Sequence, residues 1–101
     1  MKKVRIIFGG NSTTEHDDDY AILDKLIDGL WVNMERVPCR GEGVNLFVEN
    51  YHVFFEVKQV YTTLDLTSEE HYERHRIVAD NAEIVEEFKK KEVEYEIRRL
   101  D

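Results

Sequence analysis

A chain of 101 residues can enclose one small hydrophobic core but not two, so a single domain is expected. Its 42% hydrophobic and 36% charged residues suit a globular protein, and no run approaches the ~18 apolar residues of a membrane span. Fourteen basic against 22 acidic side chains leave a net charge of -8, which argues against nonspecific attraction to nucleic-acid phosphates.

Met1-Lys2-Lys3 leads into an apolar run too short for a signal peptide. The single Cys39 has no partner for an internal disulfide. Both features are expected of a cytoplasmic protein.

Val4-Arg5-Ile6-Ile7-Phe8 is nearly continuous in apolar character and ends on Gly9-Gly10. That predicts a buried parallel strand running into a tight turn. The turn, Gly9-Gly10-Asn11-Ser12-Thr13-Thr14, offers backbone N-H groups and hydroxyls at the place where open α/β sheets bind ligands. Tight packing alone can also require a Gly-Gly pair.

Leu23, Leu26, Ile27 and Leu30 then recur at helical spacing, which predicts an amphipathic helix over 18–30 with Gly29 at its end. The acids Glu15, Asp17, Asp18, Asp19, Asp24 and Asp28 read as its solvated face, or as a surface for a basic partner. Trp31 to Pro38 predicts a second strand.

Val44 to Phe55 has two readings. Its β-forming residues suit a hairpin turning at Glu49-Asn50, whereas Val44, Phe47, Val48 and Tyr51 fall at i, i+3, i+4 and i+7 and favour a short helix. The helix is preferred, with 55–64 as a third strand. Thr67-Ser68-Glu69-Glu70 reads as a capping box before a long helix whose face carries Ile77, Asn81, Ile84 and Phe88. Val93, Tyr95 and Ile97 alternate with charges and predict a half-exposed edge strand.

Strands and helices alternate in this reading. The expected fold class is therefore α/β: a small Rossmann-like three-layer sandwich of four mainly parallel strands in order 3-2-1-4.

The segments IIFGGNSTTEHDDDYAILDKLIDG, CRGEGVNLFVENY, EVKQVYTTLD and HRIVADNAEIV resemble, in order, the landmarks of the YspA/YpsA-like branch of the SLOG superfamily. The resemblance implies a Rossmann-like domain binding a nucleotide or nucleotide derivative. Its crevice would be lined by Gly9, Gly10, Asn11, Ser12 and Thr13, by Arg40, Gly41, Glu42, Gly43 and Asn45, and by Asn81. Where that branch tends to carry arginine, this chain has Asn11, Glu42 and Asp80, so a phosphate would lose bidentate partners. Arg40, Arg74 or Arg76 could substitute from neighbouring positions.

His71 and His75 could share a metal if helical, but exposed histidines on a charged helix are the commoner case, and no metal or catalytic residue is assigned. Cys39 beside Arg40 reads as a buried turn residue or a reactive thiol. Glu42 and Asp65 are the acids to test first for general acid-base chemistry. The main expectation is a non-catalytic nucleotide-ligand sensor or accessory protein. The alternative is a small acidic protein-interaction module, such as an inhibitor or accessory protein of viral origin. Two open sheet edges would also permit a homodimer.

Overall fold

A computed structural model describes residues 2–8, 17–67, 72–87 and 93–100. In chain order the elements are β1 (Lys2–Phe8), α1 (Asp17–Ile27), β2 (Trp31–Met34), β3 (Gly43–Val48), β4 (Tyr51–Asp65), β5 (Tyr72–Glu87) and β6 (Glu94–Arg98). The strands form one mixed sheet in the order β2-β1-β5-β4-β3-β6, curled into a half-barrel. This replaces the expected Rossmann-like sandwich: only β1 and β5 run parallel, and every other neighbouring pair is antiparallel.

The helix expected over 44–51 is instead a hairpin. Val48 pairs with Tyr51 and Val44 with Phe55, and the chain reverses at Glu49-Asn50. Residues paired across a two-residue turn lie three apart in sequence, so the turn imitates helical spacing. The long helix expected after Thr67 is likewise β5. Ile77, Ala79 and Ala82 are buried on it, and the step of three between the last two spans a bulge at Asn81, which has φ 49. One inserted residue reverses which face a strand presents, and again leaves a helix-like interval.

Burial settles which face each strand presents. Val4, Ile6 and Phe8 of β1 point inward together with Val32 and Met34 of β2, Val44 and Leu46 of β3, and Val53, Phe55 and Val57 of β4. Arg5, between them, is exposed, so β1 has one wet face and is not covered by helices on both sides. Burying an aromatic such as Phe55 contributes about 1.5–3 kcal/mol. α1 adds Leu23 and Ile27 to this core and packs on β1 and β5.

The return from α1 is fixed by backbone pairing. The Gly29 N-H donates to the Ile6 carbonyl at 2.7 Å, and the Ile6 N-H donates to Leu30 at 2.8 Å. Gly29 has φ 78, a conformation that glycine adopts without steric cost. β2 therefore lands antiparallel beside β1.

Curvature comes from the longest ladder. The β4/β5 register shifts between His52 and Val53, between Phe54 and Glu56, and between Val57 and Gln59. Bulges bend and twist a strand pair, and three in succession curl the sheet until β6 approaches β2.

Candidate functional site

Two regions of the half-barrel combine open volume with organised polar groups. One is the connection between β2 and β3; the other is the seam where the two edge strands face each other.

The connection is ordered by one carboxylate. Arg36 donates to Glu42 through both terminal nitrogens, Nη1 to Oε1 at 2.8 Å and Nη2 to Oε2 at 2.6 Å. The Cys39 N-H donates to the same Oε1 at 2.5 Å. These bonds, Arg36 foremost, hold the Glu42 carboxyl down to about 2, against the opposing effect of burial. The same pairing raises the Arg36 guanidinium. Gly41, with φ 88, turns the chain so that its N-H and the Glu42 carbonyl both bond Val57 on β4.

Glu42 is therefore a structural anion and is unsuited to general acid-base work near neutrality. Asp65, the other acid considered, accepts from the backbone and hydroxyl of Thr67 at 3.0 and 2.6 Å.

Cys39 is exposed, which corrects the buried reading. Beside it, a cavity of about 400 Å³ opens between Val37, Pro38, Cys39 and Arg40 of the connection and Gln59, Val60, Thr62 and His75 of β4 and β5. His75 is only 6% exposed, and its Nδ1 lies 3.2 Å from the Thr62 hydroxyl. On the other side of Cys39-Arg40, a second cleft of about 380 Å³ is lined by Arg36, Gly41, Glu42, Arg99 and Leu100.

The remaining expected site residues that are described lie on β3 and β5. Gly9, Gly10, Asn11, Ser12 and Thr13 lie outside the described residues. Gly43 opens β3, three strands away from β1 in the sheet, or about 14 Å at the usual strand spacing before curvature is counted. It is closely packed, because a Cβ there would meet the Phe54 ring at 2.7 Å.

Asn45 is 5% exposed on β3, and its Oδ1 lies 2.9 Å from His52 Nε2. The His52 ring in turn stacks on Phe47 at 4.5 Å. Asn81 sits on β5 and donates to Glu56 at 3.3 Å. Residues 44–51, expected as a helix following the Arg40–Gly43 turn, form the β3–β4 hairpin instead.

His71 is likewise outside the described residues, and His75 is a strand residue rather than a helical one. Among the described residues no group of three His, Cys, Asp or Glu side chains is placed to hold a metal.

The seam lies between β2 and β6, each of which has one sheet neighbour. A cleft of about 520 Å³ there is lined by Trp31, Val32 and Asn33 on one side and Val93, Glu94 and Tyr95 on the other. Trp31 is 45% and Val93 46% exposed, which is high for large apolar residues on a strand edge. The Glu35 N-H donates to the Tyr95 hydroxyl at 2.9 Å and pins one end. Lys3 and Arg5 lie over the Trp31 ring, 5.7 and 5.8 Å from its centre.

The sequence signals edge-strand character at Val93 to Ile97, and the structure bears that out. That Trp31 would face it depends on the curl of the sheet, which no local pattern encodes. Compared with protein families, with curated proteins and with solved structures, the chain finds no match.

Proposed function

We propose that this protein is a non-catalytic interaction module that captures an extended segment of a partner protein in the seam between β2 and β6. The reading rests on strand direction. β2 runs against β1, β5 runs with β1, and each later step to β4, β3 and β6 reverses direction, so the two edges run the same way. Closing them directly would make a parallel pair, whereas a segment entering antiparallel to both completes an antiparallel ladder on each side.

Trp31 and Val93 supply apolar contact for alternate side chains of such a segment. Glu94 in the cleft is offset locally by Lys3 and Arg5 over Trp31, so it is the chain's net charge of -8 that steers a cationic segment toward the site.

No helix among the described residues is long and apolar enough to cross a membrane. We place the protein in a reducing compartment, the cytoplasm, where its single cysteine stays a thiol.

Selection from a randomised peptide display library tests the proposal. Enriched peptides are expected to carry alternating apolar and basic residues, to bind more weakly as salt rises, and to be lost by a Trp31→Ala, Val93→Asp double variant. Peptides that bind that variant as well as the parent, or whose amide shifts map to α1, would overturn it.

A further inference from the structure

We infer that the cavity between the β2–β3 connection and the inner faces of β4 and β5 is a second binding site, selective for a small, singly charged organic anion. This site is separate from the seam, which is lined by Trp31–Asn33 and Val93–Tyr95.

Its position follows from the staggered sheet. β3 pairs with β4 only over Tyr51–Glu56, so β4 extends beyond β3 from Val57 onward with its inner face still beside β5. Thr62 and His75 are paired on that extension, as are Val60 and Ile77. The connection folds over them, anchored by the fully buried Pro38 and by the Gly41 and Glu42 bonds to Val57. The mouth of a barrel is a common place for a ligand cavity, and about 400 Å³ falls within the ordinary range of roughly 300–1,000 Å³.

The lining defines the ligand. Val37, Pro38 and Val60 form an apolar wall that suits a ring or a short aliphatic body. Thr62 and His75 are mutually positioned polar groups on the opposite wall.

Charge selectivity comes from Arg40. Arg36 is occupied on both nitrogens by Glu42, and Arg99 has an interaction of its own, whereas Arg40 has no hydrogen-bond or ion-pair partner among the described residues. One open guanidinium matches one carboxylate through two parallel hydrogen bonds. A phosphate monoester, carrying nearly twice that charge, would face the chain's net -8 with a single arginine to offset it.

Nuclear magnetic resonance titration of the full chain with 1-naphthoate, and with its neutral isostere 1-naphthamide, tests the assignment. Naphthoate is expected to give saturable amide shifts at Val37, Cys39, Arg40, Gln59 to Thr62 and His75, and to bind at least tenfold more tightly than the amide. Arg40→Met, which keeps the apolar stem, is expected to abolish that preference without moving the melting temperature. Val60→Phe, which fills the floor, should weaken both probes; if it does not fold, the Arg40→Met comparison still decides. Equal binding of acid and amide, shifts confined to other residues, or no saturation up to the solubility limit would each overturn the inference.

Discussion

Glu35 and Tyr95 are 60 positions apart and are joined by a hydrogen bond of 2.9 Å from the Glu35 N-H to the tyrosine hydroxyl. It ties the end of β2 to β6, although the two strands share no ladder. Tyr95→Phe removes the acceptor but keeps the ring that leans on the core. The expected loss is about 0.5–1 kcal/mol, because the freed N-H is exposed and takes water in exchange. Chemical denaturation measures this, and faster amide exchange at Glu35 would accompany it.

Gly43 is required by packing. Its pro-Cβ position lies 2.7 and 2.9 Å from the Phe54 ring and 3.2 Å from a Leu100 methyl. Gly43→Ala is expected to destabilise the protein by about 1–3 kcal/mol, as overpacking does. A Gly43→Ala, Phe54→Leu double variant should recover part of the loss if the ring is the obstacle.

The β3–β4 turn places Glu49 at φ 51, where a side chain is strained. Glu49→Gly relieves that strain but also loosens the unfolded chain. The net expectation is a gain of about 0.5 kcal/mol, read as a raised denaturation midpoint with unchanged slope. A helix over 44–51 would instead be weakened by glycine, so the sign of the effect distinguishes the two structures.

The Arg36–Glu42 pair gives stability a defined pH dependence. Because folding lowers the Glu42 carboxyl from 4.5 to about 2, its contribution is complete above the ordinary value and is lost as pH falls through about 2. Glu42→Gln should therefore melt below the parent at pH 7, and the gap should close steadily between about pH 4.5 and 2. A gap unchanged across that range would show that the charge is not what the pair contributes.

Elements that obey one simple period were legible in the sequence. The strand at Val4–Phe8, the stripe of Leu23 and Ile27 on α1, and the alternation of Tyr95 and Ile97 all appear in the structure. Misreading came where a turn or bulge resets the period. Val48 and Tyr51 face each other across a hairpin, and Ala79 and Ala82 flank the bulge at Asn81, so both intervals of three resemble helix. Glu49-Asn50 marks the hairpin as the alternative, and in this segment β propensity is a better guide than the interval of three.

The candidate sites were less legible than the fold. The sequence reads Arg40 to Glu42 as binding residues of a glycine turn, whereas the structure has Glu42 ordering the connection and Arg40 lining a cavity. His75 and Thr62 meet only because β4 and β5 pair in one particular register. The seam arises from curl accumulated over six strands and has no local signature beyond an exposed tryptophan.

The central claim is that β2 and β6 together receive a strand. Hydrogen–deuterium exchange, measured with and without a display-selected peptide, addresses it most directly. Slower exchange in both Trp31–Met34 and Glu94–Arg98 is the expected result, because an inserted segment bonds to each edge. Protection of neither edge, or protection confined to α1, would contradict the account.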